Sequence, residues 1–176
     1  SMNKKDPIHI KFMQRCLDLA KLGLGQTYPN TLVGSVLVYK GKIVSEGWHQ
    51  KKGEAHAEVH AIQNLKDKSL LNMCTLYVNL EPCNHQGKTG PCSDAIIHAG
   101  FKSVAFAFSD PNPVAQGGAA TLRSAGIDVA EGIEKEVAAF TNRAWLKKIK
   151  SGRPWIITKI AATLDGKIAA SDGTSQ

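Results

Sequence analysis

The sequence predicts an α/β domain built on an open sheet, and three features indicate this class. A helix is expected from Asp6-Pro7 onward, because an N-cap residue precedes a proline at the first helical position. A hairpin follows, with a β run at 32–39, a Lys40-Gly41 turn and a second strand at 42–48. The remaining segments alternate between strand and helix patterns, which is the order typical of α/β folds.

Each later element is predicted from its own periodicity. Helices are expected at 55–65, 91–99, around 121–125 and 134–150, and strands at 74–80, 102–108 and 127–130. The 102–108 run is apolar enough to predict a central strand. Gly23 and Gly100 are expected to follow the ends of the first helix and of the 91–99 helix.

Three potential metal ligands lie at the ends of these elements. His56 is expected in the first turn of one helix, Cys83 follows the 74–80 strand, and Cys92 lies in the first turn of the next helix. One imidazole and two thiolates suit zinc, and three protein ligands leave a fourth position for water, as in catalytic sites. Glu58, two residues after His56, is placed to carry protons without binding the metal.

This arrangement is the H-x-E … P-C … C pattern of zinc-dependent base deaminases. The cysteine spacing departs from the usual P-C-x-x-C, because eight residues separate Cys83 from Cys92. A His-x-Glu triplet and two cysteines are weak signals separately, and they become specific together with a proline before each cysteine. A closed structural zinc site that binds a partner is the alternative, and it would need a fourth protein ligand.

The composition is that of an ordinary soluble globular protein, with 176 residues of which 43% are hydrophobic. No segment approaches the ~20 apolar residues of a membrane helix, and no signal peptide opens the chain. We therefore expect a cytoplasmic protein that makes no membrane contact and has reduced thiols. Cys16 and Cys74 are predicted to be small core residues.

The net charge of +7 is compatible with nucleic acid or with a phosphorylated small substrate. An RNA adenosine or cytosine deaminase is therefore the alternative enzyme. The long loop between Cys83 and Cys92 and an aromatic content of 6% disfavour it, because single strands are commonly bound by stacking on aromatic side chains.

Over essentially its whole length, the chain resembles the bacterial bifunctional riboflavin-biosynthesis deaminase/reductase family. The matching stretches are Pro29-Asn30, Val33-Gly34, Gly47-Trp48-His49, His56–Ala61, Leu80–Cys83, His85, Gly87–Thr89, Pro91-Cys92, Asp110–Pro113, Lys159 and Leu164–Lys167. The eight-residue gap between the cysteines is also what this family shows. Thr31 stands where the family usually has a second proline.

The resemblance implies a cytidine-deaminase-like three-layer α/β/α sandwich with a mixed central sheet. It implies zinc held by His56, Cys83 and Cys92, with Glu58 as the catalytic residue. The implied reaction is hydrolytic loss of ammonia from the 2-amino group of a diaminopyrimidinone that carries a phosphoribosylamino arm. The implied partner is thus a phosphorylated pyrimidine and no nucleic acid, and family members are commonly homo-oligomers.

The resemblance also implies substrate contacts and a second domain. Asn30 matches a contact to the pyrimidine edge, and the positions near the polar arm are His49, His85, Lys88, Asp110 and Asn112. Lys88 is the natural phosphate partner. Residues 2–150 are expected to form the deaminase domain, and residues 151–176 a linker and the start of an NADPH-dependent reductase domain. We expect such a chain to deaminate and not to reduce.

Overall fold

The computed structural model describes residues 2–25, 31–51, 55–84, 91–113 and 115–151. In chain order its elements are α1 (Pro7–Lys21), β1 (Gly34–Tyr39), β2 (Lys42–Trp48), α2 (Ala57–Asn64), a 3-10 helix (Lys68–Met73), β3 (Thr75–Leu80), α3 (Cys92–Ala99), β4 (Ser103–Phe108), α4 (Gly118–Ser124), β5 (Asp128–Glu131), α5 (Lys135–Thr141) and α6 (Arg143–Ser151). The 3-10 helix was not predicted.

The five strands form one mixed sheet in the order β2-β1-β3-β4-β5. β1 runs antiparallel to both β2 and β3, whereas β3, β4 and β5 are parallel. The mixed sheet is therefore confirmed. The 102–108 strand is interior as predicted, since β4 lies between β3 and β5, although β3 is the middle strand of the sheet. β4 is apolar because it is an interior strand whose residues are buried beyond the first.

Helices cover both faces of the sheet, which gives the predicted three layers. On one face, Phe12 and Leu17 of α1 share a core with Phe106 of β4. On the other face, Ala61 of α2 and Ile96 of α3 share a second core with strand residues and with Leu122 of α4. Burial of these apolar side chains is the dominant stabilising term for such a domain.

Two glycines allow helices to lie close to the sheet. A β-carbon at Gly34 of β1 would collide with the carbonyl oxygen of Cys16 in α1. A β-carbon at Gly47 of β2 would lie 2.5 Å from both the carbonyl oxygen of Ala57 and the nitrogen of Ala61 in α2. The contact at Gly47 fixes the first turn of α2, which carries the predicted catalytic residue Glu58.

Several predicted boundaries are confirmed. Asp6 caps α1, since its carboxylate accepts a hydrogen bond from the Ile8 nitrogen at 3.1 Å. Lys40 and Gly41 both have positive φ, at 49° and 77°, as a tight hairpin turn requires. Gly100 adopts the left-handed conformation that commonly ends a helix.

Three boundaries differ from the prediction. α1 ends at Lys21 with Leu22 as its C-cap, so Gly23 does not act as the terminating residue. His56 has an extended backbone and precedes α2 as its N-cap, so it lies before the first turn. The predicted 134–150 helix is two helices, because Asn142 interrupts it.

The break at Asn142 has a tertiary cause. Its buried side chain hydrogen-bonds both backbone groups of Leu32, with Oδ1 accepting from the nitrogen at 2.7 Å and Nδ2 donating to the oxygen at 2.9 Å. Asn79 of β3 also donates to the Leu32 oxygen and accepts from the Gly34 nitrogen. These bonds hold the start of α6 against the entry to β1.

In the part of the chain that the structure describes, every helix is too short or too polar to cross a lipid bilayer.

Candidate metal and substrate site

The ends of three elements bring His56, Cys83 and Cys92 together. β3 delivers Cys83 just beyond its carboxyl end, while His56 and Cys92 lie at the N-termini of α2 and α3. The His56 Nδ1 atom lies 2.9 Å from the Cys92 Sγ atom and 3.5 Å from the Cys83 Sγ atom. All three ligand atoms lie within 4.8 Å of one another. The structure thus assembles the predicted ligand set.

The three side chains form hydrogen bonds with one another, and these bonds shift their pKa values in opposite directions. The Cys83 sulfur accepts hydrogen bonds from the Cys92 thiol, from His56 and from the Cys92 backbone N–H, and these bonds lower the pKa of Cys83 against the opposing effect of burial. The hydrogen bond between His56 and Cys83 raises the pKa of His56. The hydrogen bond between Cys92 and Cys83 raises the pKa of Cys92. A thiolate is the form of cysteine that binds metals. Two buried sulfurs and one imidazole nitrogen are a donor set that fits zinc.

Glu58 is the second residue of α2, and its side chain is only 3% exposed. Burial raises its pKa to about 7, while the charge on His56 acts in the opposite direction. Within the described ranges, hydrogen bonding lowers the pKa of Glu58 only through its own backbone N–H. A carboxyl group with a pKa near neutrality can both accept and release a proton at physiological pH, as a general acid or base must.

A cavity of about 290 Å³ opens over this cluster. Its polar lining consists of Thr31, His49, His56, Glu58, Glu81, Cys83, Asp110 and Asn112, and its apolar lining of Val33, Leu80, Ala115 and Trp145. The predicted substrate residues His49, Asp110 and Asn112 therefore lie in one cavity with the predicted metal ligands His56 and Cys83. The predicted Asn30, His85 and Lys88 lie outside the residues that the structure describes.

His49 presents a neutral imidazole to the cavity. Burial and the nearby His56 lower the pKa of His49, while hydrogen bonds to the backbone of Lys51 and Thr31 oppose the shift. Its ring lies edge-on to that of His56, with centroids 5.4 Å apart. The buried Nε2 atom has no hydrogen-bond partner among the described residues. Buried polar atoms are normally paired, so this nitrogen is suited to a polar atom of a ligand.

Glu81 and Trp145 line the cavity although the sequence analysis gave neither a site role. Glu81 falls within the Leu80–Cys83 stretch of the family resemblance, which gave it no role of its own. Trp145 lies on α6, a segment whose lysines and arginines indicate a solvated face, and its indole is 8% exposed. The signal for Trp145 was indirect, because Trp145, Leu146 and Ile149 together mark the buried side of a basic helix.

Comparison with known proteins agrees with this geometry. The family model for the cytidine and deoxycytidylate deaminase zinc-binding region matches residues 7–108. The chain is 49% identical over 164 residues to the riboflavin biosynthesis protein RibD of Synechocystis sp., covering 93% of this chain and 44% of that protein. It is 46% identical over 166 residues to RibD of Escherichia coli, covering 94% of this chain and 44% of that protein.

Among solved structures, the chain is similar to a diaminohydroxyphosphoribosylaminopyrimidine deaminase/5-amino-6-(5-phosphoribosylamino)uracil reductase from Thermotoga maritima. The TM-score is 0.80 at 41% identity, covering 84% of this chain and 43% of that one. The chain thus spans less than half the length of these relatives. The match to the family model spans more than half of this chain and contains His56, Glu58, Cys83 and Cys92. The chain belongs to the cytidine and deoxycytidylate deaminase zinc-binding family.

Proposed function

We propose that this chain is the pyrimidine deaminase of riboflavin biosynthesis. Its substrate would be a diaminopyrimidinone with a phosphoribosylamino arm, and its products an aminouracil with the same arm and ammonia. The observation that carries the proposal is the cluster of His56, Cys83 and Cys92, with Glu58 in the same cavity as His56 and Cys83. The similarity to RibD proteins over more than nine-tenths of this chain supports the choice of substrate.

In this proposal His56, Cys83 and Cys92 hold the metal and Glu58 moves the protons. Bound zinc supplies a water whose pKa is lowered to about 7, which makes a nucleophile available at neutral pH. The Glu58 carboxylate takes a proton from the attacking water as a C–O bond forms at C2 of the ring. It then gives that proton to the 2-amino nitrogen, so that the C–N bond breaks and ammonia leaves.

The cavity offers polar groups of the kinds that the rest of the substrate needs. Among the described residues, the buried Nε2 atom of His49 has no hydrogen-bond partner, and Asp110 and Asn112 lie beyond the carboxyl end of β4. A net charge of +7 favours a phosphorylated ligand. Asn30 at the pyrimidine edge, His85 near the polar arm and Lys88 at the phosphate stay predictions.

We further propose that the chain is part of a bifunctional protein that works in the cytoplasm as a homo-oligomer. The RibD relatives are more than twice as long as the segment they share with this chain. Residues 151–176 would begin the NADPH-dependent reductase domain, with the deaminase domain at residues 2–150. Except for Ser151, this segment lies outside the described residues.

The direct test is ammonia release by the zinc-loaded chain from the riboflavin-pathway diaminopyrimidinone. We expect multiple turnovers with this substrate, and no NADPH oxidation when the deaminated product is supplied. Absence of ammonia release would refute the proposed activity. NADPH oxidation by this chain would refute the domain boundary and leave the deaminase proposal intact.

The alternative, an adenosine or cytosine deaminase acting on RNA, is not favoured. The positive charge is compatible with it. The relatives with 46–49% identity are named for riboflavin biosynthesis, which points to a free pyrimidine substrate. Deamination of transfer RNA together with inertness towards the diaminopyrimidinone would reverse this preference.

A further inference from the structure

Glu81 has an environment that a residue of a simple turn would not need. Its side chain is buried, and each carboxylate oxygen accepts one backbone hydrogen bond from a different segment. Oε1 accepts from the Asp110 nitrogen at 3.0 Å, and Oε2 accepts from the Ala119 nitrogen at 2.9 Å. Hydrogen bonds to a charged acceptor are about twice as strong as neutral ones. One side chain thus ties the loop after β4 and the first turn of α4 to the end of β3.

The backbone around Glu81 reinforces this connection. The Glu81 nitrogen donates to the Phe108 oxygen at 3.0 Å, and the Asn84 nitrogen donates to the Ala115 oxygen at 2.9 Å. A β-carbon at Gly118 would collide with the carbonyl group of Pro82. The segment that carries Cys83 therefore contacts the chain after β4 at Phe108, at Ala115 and at Gly118.

The segment that Glu81 holds contains two predicted substrate residues. Asp110 is buried, and its Oδ1 accepts from the Asn112 nitrogen at 2.9 Å. The Asn112 oxygen in turn accepts from the Ala115 nitrogen at 3.0 Å. Both side chains line the cavity with Cys83. The bonds of Glu81 thus determine where this loop lies relative to the metal ligands.

We propose that Glu81 is a positioning residue, which acts through Asp110 to fix the substrate arm relative to the metal ligands. The inference rests on the proposed function, because Asp110 can bind that arm only if the arm is present. A displacement of about 1 Å in a substrate-binding group can cost up to about 10²-fold in catalytic efficiency. Glu81 would therefore affect substrate binding although its own oxygens are directed at backbone N–H groups.

Glu81→Gln is the sharpest variant, because it keeps the shape and removes the charge. One amide oxygen can accept from one N–H, while the new NH₂ group faces the other donor. With the diaminopyrimidinone we expect KM to rise at least about tenfold, kcat to stay within about threefold and zinc content to remain at one per chain. A purely structural role would instead lower zinc content or kcat and leave KM unchanged.

A double-mutant cycle tests whether Glu81 acts through Asp110. In an Asp110→Ala background, Glu81→Gln should lower kcat/KM by less than about twofold further, because the group that it positions is gone. The control is Ser45→Ala, which removes the hydrogen bond from Ser45 Oγ on β2 to the Ala61 oxygen on α2, away from the loop. In that background Glu81→Gln should have its full effect. Equal effects in both backgrounds would overturn the proposal.

The outcomes distinguish a failure of the proposed deaminase activity from a failure of the role proposed for Glu81. If Glu81→Gln does not fold, Asp110→Ala alone still decides the matter, since a wild-type KM in that variant would overturn the proposal. If the wild-type chain releases no ammonia, the proposed function has failed and the role of Glu81 fails with it. If the wild type is active and the two substitutions act independently, only the role of Glu81 is refuted.

Discussion

Two buried glutamates line the same cavity and have opposite environments. Glu81 accepts backbone hydrogen bonds from Asp110 and Ala119, whereas Glu58 is influenced by hydrogen bonding only from its own backbone among the described residues. Burial raises the pKa of Glu58 to about 7. The comparison teaches that burial alone does not define a catalytic carboxylate. A carboxylate whose two oxygens accept backbone hydrogen bonds stabilises the fold. A carboxylate without such donors from other segments can exchange protons.

The largest expected effect is a loss of turnover, which should distinguish Glu58 from Glu81. Glu58→Gln should lower kcat by at least about 10²-fold, because an amide cannot move the proton from water to the leaving amine. Its zinc content should stay at the wild-type level, since Glu58 is not a ligand. Ammonia release and metal analysis measure the two quantities on one sample.

The matched control for metal content is Cys83→Ser, which replaces a soft thiolate ligand with a hydroxyl group. We expect this variant to lose most of its zinc and its activity. Wild-type turnover in Glu58→Gln would remove Glu58 from its role. Full zinc retention in Cys83→Ser would contradict the ligand assignment.

The second expected effect is a loss of stability when Glu81 is replaced. Glu81→Gln should lower the free energy of unfolding by about 2 kcal/mol, because a charged hydrogen bond is lost and a buried N–H loses its acceptor. Calorimetry should show a lower Tm. Ser45→Ala, which loses one neutral hydrogen bond, should cost about 1 kcal/mol. A Glu81→Gln variant as stable as wild type would mean that the charge and the lost backbone hydrogen bond do not stabilise the fold.

The smallest expected effect is the pH dependence of the metal-free protein. The pKa of Glu58 is raised from 4.5 to about 7, so the folded state binds more protons than the unfolded state between these values. Stability due to this group therefore falls as pH rises through that window and is level above it. The shift sets a ceiling of ~3 kcal/mol. The cavity opens to solvent, which would reduce the penalty, so we expect ~1 kcal/mol at pH 8.

The measurement is the difference in unfolding free energy between wild type and Glu58→Gln, both stripped of metal and kept reduced. The variant should be more stable at pH 8 and equal to the wild type near pH 4. Taking the difference removes the titration of groups that do not interact with Glu58, such as His49, whereas His56 and Cys92 interact with the Glu58 charge and contribute to the measured difference. A constant difference across this range would show that the carboxyl group is not perturbed as described.

The sequence was sufficient for the parts of the site that depend on local order. His56, Cys83 and Cys92 were identified from residue type and from their places at helix starts and a strand end, and the structure brings them within 4.8 Å. Most elements were predicted because apolar periodicity, turn residues and caps act over a few positions. His49, Asp110 and Asn112 came from the family resemblance, and the structure adds that they share one cavity.

Only the tertiary structure determines the contacts between residues far apart in the chain. Asn142 interrupts a pattern that is helical throughout, because its side chain bonds Leu32, 110 positions earlier. Glu81 meets donors 29 and 38 positions later. Trp145 reaches the cavity because α6 is held at Leu32. Local patterns report the preferences of neighbouring residues, whereas hydrogen-bond partners across the fold are set only when the layers pack.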